Sequence, residues 1–174
     1  MNDDSAAEYD ALRATIRERG TLRICVVSVG LIAMSALVVA LRGAQLSGAI
    51  ALLPLLVLAA TFEINFFVHT GVERIGRYLQ VFYEERAGTT GWETTAMNYG
   101  AKYPSGLDPL FSVLFAAAAT LNFLSTVVVA DEPGWMACSL AGHLAFAYRI
   151  VTARALASSQ RALDLDRFRG LLSK

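Results

Sequence analysis

The sequence predicts an all-α polytopic membrane protein, with four transmembrane helices as two antiparallel hairpins and with cytoplasmic helical extensions. Three observations predict it. The chain of 174 residues is 55% apolar and only 17% charged, outside the usual range of a soluble domain. Its apolar residues fall into four blocks: Ile24–Leu41, Gly43–Val72 broken only by Glu63, Pro109–Ala130, and Pro133–Ala153 broken only by Arg149. Each block reaches or approaches the ~20 helical residues that cross a bilayer core. None alternates polar and apolar faces as the helices of a soluble bundle do.

The third observation is charge placement. Fourteen of the fifteen Lys and Arg residues precede block one, lie between blocks two and three, or sit at or beyond the end of block four. Only Arg42 falls in an alternate connection. By the positive-inside rule both termini are expected in the cytoplasm, which an even number of spans requires. The expected setting is an inner or plasma membrane of bacterial type, with the lipid bilayer as first partner. The expected spans are about 23–42, 47–70, 109–130 and 134–153.

Residues 1–21 read as a cytoplasmic amphipathic helix. Ser5 to Glu8 matches a capping box, Tyr9, Leu12 and Ile16 recur at helical spacing, and Gly20 reads as a stop. No cleavage pattern follows block one, and no acylation or prenylation signature is expected at Met1 or Lys174. The connection Arg42–Ser47 is short, which makes the first two spans a hairpin. Pro54 is expected to kink span two. Beyond Val72 helical periodicity runs on to about Arg86, with Glu73 and Arg77 spaced as an i,i+4 ion pair.

The extended loop falls within 87–107, where Trp92, Tyr99 and Tyr103 favour the headgroup layer. Trp92–Tyr99 reads as a short helix closed by Gly100. Asp108-Pro109 opens span three with a cap and a first-turn proline, and Asp131-Glu132-Pro133 repeats that chemistry before span four. Residues 154–174 read as a C-terminal cytoplasmic helix.

An ionised acid inside a span costs about 2.5–3.5 kcal/mol, so Glu63 needs a partner, a wet cavity or a proton. Counting about 1.5 Å per residue from the outer ends puts Glu63 roughly 24 Å and Arg149 roughly 22 Å deep. Ser28 and Ser112 fall near that level. These four form a candidate intramembrane ion pair or translocation site. The structural reading has Glu63 and Arg149 neutralise one another. The functional reading has Glu63 face water and take a cation or proton while Arg149 snorkels to the headgroups. A second layer, His143 with Asn122 and Thr120, lies roughly 12–15 Å down and reads as a polar contact between helices.

No catalytic constellation is found. There is no Gly-x-Ser-x-Gly, no His-Glu-x-x-His and no phosphate-cradling glycine loop, and Ser139 with His143 is too small a set for a hydrolase. His69 lies roughly 33 Å down its span, far from the level of His143, which disfavours a haem. Cys25 and Cys138 lie near opposite membrane faces and suit no disulfide or zinc site. No cofactor, metal or nucleic-acid partner is expected. The small residues Ala137, Ala141 and Ala145 form a ridge that lets helices approach closely. Four spans leave little interior, so a homo-oligomer or a larger membrane complex is the expected setting. The expectation is a non-enzymatic scaffold, assembly or interaction subunit. The alternative is an oligomeric ion or proton channel or carrier subunit with Glu63 lining the path.

Overall fold

A computed structural model describes residues 3–45, 48–103, 108–128 and 132–173. The chain is all-α and 90% helical, with five α-helices and no strand among the described residues. They are α1 (Asp3–Gly43), α2 (Leu53–Leu79), α3 (Trp92–Lys102), α4 (Ser112–Val127) and α5 (Pro133–Leu172). A 3-10 segment, Gly48–Leu52, leads into α2, and a π-helical segment, Gln80–Glu85, prolongs it.

Three helical stretches are long and apolar enough to cross a membrane: Asp3–Gly43, Ala49–Glu85 and Pro133–Leu172. The fourth apolar block differs. Its helix α4 has 16 residues, about 24 Å of axis. It starts at Ser112 because Asp108 does not cap it directly. The Asp108 carboxylate folds forward and accepts from Leu110 N at 3.1 Å, Ser112 Oγ at 3.3 Å and Val113 N at 3.2 Å. That turn puts Phe111 in the left-handed region at φ 55°, a conformation uncommon for a bulky residue.

The chain divides into two compact units. A polar unit comprises Met1–Arg23, Phe67–Leu107 and Ala155–Lys174, and an apolar unit comprises Ile24–Phe66 and Asp108–Arg154. In the apolar unit the core is an aromatic triad. Phe62 meets Phe115 edge-on with centroids 5.0 Å apart, and Phe146 with centroids 5.8 Å apart. Leu58, Leu110 and Ile150 fill in around them. In lipid such burial is stabilised by close packing rather than by transfer from water. Gly30 of α1 shows how close: a Cβ there would overlap the Thr61 side chain of α2.

In the polar unit three ion pairs lace α5 to the extension of α2. Arg161 Nε lies 2.6 Å from Glu73, Arg74 Nε 3.0 Å from Asp164, and Arg169 Nη2 2.7 Å from Glu85. Tyr78 and Phe82 stack with centroids 4.7 Å apart, and Phe168 meets both rings edge-on.

Several local expectations are corrected. Gly20 does not stop α1, because nothing folds back at that point and the helix runs on through Arg23 into the apolar block. Ser5 stands within the helix, which is already formed at Asp3. Pro54 lies in the first turn of α2, where its missing N–H is one the helix would not have used. Gly100 does not close α3, which extends to Lys102. Glu73 pairs with Arg161 rather than with Arg77. Ser47, Pro104, Ser105-Gly106 and Asp131 lie outside the described residues.

Two glycines on α1 give a contrast test. Gly20 has open space at its Cβ position, so Gly20→Ala is expected to stabilise by up to about 1 kcal/mol through helix propensity. Gly30→Ala, which meets Thr61, is expected to destabilise by about 1–3 kcal/mol through overpacking. Thermal unfolding of both variants in one detergent checks the opposite signs.

Candidate functional site

In the apolar unit Arg149 grips Glu63 with two parallel bonds. Nε lies 2.7 Å from Glu63 Oε1, and Nη2 donates to Oε2 at 2.8 Å. The guanidinium carbon also sits 4.4 Å from the Phe66 ring centroid, a cation–π contact that offsets some lost hydration. The pair is not interior. The Glu63 side chain is 50% exposed and that of Arg149 27%.

The serines expected at that level are elsewhere. Ser28 is exposed on α1, and the Ser112 hydroxyl donates to Asp108. Neither contacts the Glu63–Arg149 pair.

The second polar layer is a buried contact between α4 and α5. His143 Nδ1 lies 2.7 Å from the Ser139 carbonyl, which can only accept, so Nδ1 carries the proton. Nε2 is then the acceptor for Asn122 Nδ2 at 3.2 Å. Both nitrogens of a neutral imidazole are thereby used. Thr120 does not join them: it is exposed, and its hydroxyl bonds the Ala116 carbonyl one turn back at 2.9 Å.

Sequence reasoning missed two further polar contacts here. Asn65, fully buried, donates to the Leu110 carbonyl at 3.1 Å. That carbonyl lies in the non-helical turn before α4, where a buried acceptor left unmet would cost about 1–3 kcal/mol. Arg42 closes on Ser125 through Nε at 3.3 Å and Nη2 at 3.0 Å, and Nη2 also bonds the Ser125 carbonyl.

The polar unit holds a larger charge assembly, also missed. Arg77 is almost fully buried, with its side chain 4% exposed. Nη1 donates to Gln80 Oε1 and Nη2 to Glu93 Oε2 at 3.3 Å. Glu93 takes a second guanidinium, Arg13, at 2.8 Å. Gln80 passes the chain to Glu85 at 3.1 Å, and Glu85 is gripped by Arg169. Burial lowers the Arg77 pKa, opposed by Glu73 and Glu93. Burial raises that of Glu93, opposed by Arg77 and Arg13. The Arg169 hydrogen bond holds Glu85 below its ordinary value, against burial.

Helix α3 is held by a remote cap. Its N-cap residue is Gly91, which has no side chain to offer. Glu84 supplies the oxygens instead: Oε1 accepts from Glu93 N at 2.8 Å, and Oε2 from Thr94 N at 2.8 Å and Thr94 Oγ1 at 2.6 Å. Glycine is required at 91 because the Glu84 carboxylate fills the space of a Cβ. Gly76 likewise admits Glu93, whose Oε2 would lie 2.7 Å from a Cβ there. The available signal was the glycine itself at a helix start.

Around this assembly α1, α2, α3 and α5 frame an open cleft of about 1020 Å³. Its lining holds Arg13, Arg17, Arg77 and Arg161 together with Asp10, Glu73 and Glu93, and includes Trp92. Trp92 is 66% exposed. No group of three or more His, Cys, Asp or Glu able to hold a metal occurs among the described residues, and Cys25 and Cys138 are free thiols.

Removing the remote cap is expected to loosen α3 alone. Glu84→Gln should cost about 1–3 kcal/mol through lost charge-assisted bonds to the helix start. Hydrogen exchange should speed up over Trp92–Lys102 while α4 stays protected.

Tyr83 gives a pH test. Its pKa is pushed up to about 12 from 10.0 by burial, by the hydrogen bond and charge of Glu8, and by Tyr78. The raised folded value means stability is full below pH 10.0 and falls as pH rises towards 12. Glu8→Gln is expected to bring this titration back towards 10.0, read by tyrosinate absorbance.

No known family model, curated protein or solved structure matches this chain.

Proposed function

We propose that this protein is a non-enzymatic assembly subunit of a membrane, crossing the bilayer four times with both termini cytoplasmic and using its polar unit as a platform for partners. The observation that carries this reading is the closed Glu63–Arg149 pair. An acid that ferries ions or protons faces a wet path. Here both carboxylate oxygens are engaged by one guanidinium, on a surface flanked by Leu56, Ile64 and Phe67. The pair therefore serves register and contact rather than conduction.

The apolar run Pro109–Ala130 supports the fourth crossing, and α4 is the helix described within it. The distribution of basic residues supports cytoplasmic termini. The polar unit supplies what a docking platform needs: a stiff ion-paired frame, an open charged cleft and an exposed tryptophan in its lining.

Charge-neutral substitutions test the reading. Glu63→Gln and Arg149→Gln are each expected to destabilise by about 1–3 kcal/mol, because each strands one charge in lipid. The double variant should recover most of that loss. Proteoliposomes of the native protein should show no ion or proton flux above the lipid background. Flux that Glu63→Gln abolishes in a normally folded protein would establish the carrier reading instead.

A further inference from the structure

We infer that the α2/α5 face carrying Glu63 and Arg149 is a dimer interface, and that its occupant is a second copy of this chain. The inference rests on the membrane-assembly reading above and adds the identity of the intramembrane partner.

The argument begins with unmet bonding capacity. Each oxygen of a carboxylate accepts two hydrogen bonds. Arg149 takes one at each Glu63 oxygen, and the Glu63 side chain is still 50% exposed. Further acceptor sites thus point outwards, where hydrocarbon offers no donor. The Arg149 side chain is in turn 27% exposed. A covering surface must bring a donor to Glu63 at the same depth.

A second copy related by a two-fold axis along the membrane normal does this automatically. A two-fold interface is isologous, so a patch must be complementary to itself. A patch of one sign fails that condition, whereas a neutral acid–base pair at one level meets it. Two such patches facing each other set Glu63 of each copy beside Arg149 of the other and close a four-membered network.

The surroundings permit the approach. At about 100° per residue, Cys138, Ala141, Ala145, Arg149 and Thr152 lie within a sector of about 80° on α5. The first three are exposed and small. On α2, Leu56, Ala60, Glu63 and Phe67 share a sector of about 60°, and all four are exposed. Small residues beside an interhelical polar contact are the composition of close helix packing in lipid.

Thiol crosslinking of the full chain in native membranes tests the inference. On a Cys25→Ser background, native Cys138 is expected to form a covalent dimer on mild oxidation. Ala145→Cys on a cysteine-free background should do the same. Val113→Cys on α4, 78% exposed but away from this face, should not. Glu63→Gln should lower the dimer yield about three- to tenfold, and the swap Glu63→Arg with Arg149→Glu should restore it.

Subunit counting in nanodiscs should give two copies. A single copy, including one carrying bound lipid at Glu63 and Arg149, or equal crosslinking from Val113→Cys, overturns the dimer. Such a monomer without Glu63-dependent flux leaves the assembly reading standing. Flux lost in Glu63→Gln overturns that reading whether or not the chain dimerises.

Discussion

One unbroken chain of alternating partners holds the polar unit: Arg13, Glu93, Arg77, Gln80, Glu85 and Arg169. It begins on α1, crosses α3 and α2, passes through the π-helical segment and ends on α5. Arg77 is the constraint. A guanidinium withdrawn from water must be matched on the spot, and removing one partner of a buried pair costs about 3–5 kcal/mol. Glu93 is therefore tied to both neighbours, and Gly76 and Gly91 exist to let the acids close in. Acidity acts on this chain in two senses. Glu85, held low, loses its contribution as pH falls, whereas protonating Glu93, held high, relieves a burial cost.

The apolar unit solves a different problem. A bilayer would offer its helices no gain from burying leucine, so contact quality would decide. The edge-on contacts among Phe62, Phe115 and Phe146, and the close fit of the Thr61 side chain against Gly30, supply it. Polar groups here are few and each has a specific task. Asn65 repairs the turn before α4, His143 and Asn122 join two helices, and Arg42 anchors the end of α1 to Ser125.

What the sequence made legible follows from what is additive along a chain. Apolar runs and the spacing of charge predicted an all-α chain with four spans, of which the all-α class and three long apolar helices are seen. Counting residues gave depth, and depth matched Glu63 with Arg149. Depth carries no azimuth, however, so Ser28, Ser112 and Thr120 were grouped with residues they do not contact. Helix ends were also misplaced wherever the deciding group was distant in sequence. Gly20 reads as a stop only if nothing downstream continues the helix, and Glu84 caps α3 from seven residues before Gly91. Glu73 has a helical neighbour at the right spacing, yet a guanidinium 88 positions away takes it. The alternatives left by local pattern are settled by tertiary partners that local pattern does not contain.

The π-helical segment sets how the chain may vary in length. Its bonds reach back five residues, as from Arg86 N to Val81 O and from Thr89 N to Glu84 O, so it holds more residues per turn than the α-helix it prolongs. Losing a single residue there would turn everything downstream by about 100° and swing Glu84 away from α3. Residues 80–85 should thus tolerate exchange of side chains better than a change in their number, and related chains should keep that count even where their letters diverge.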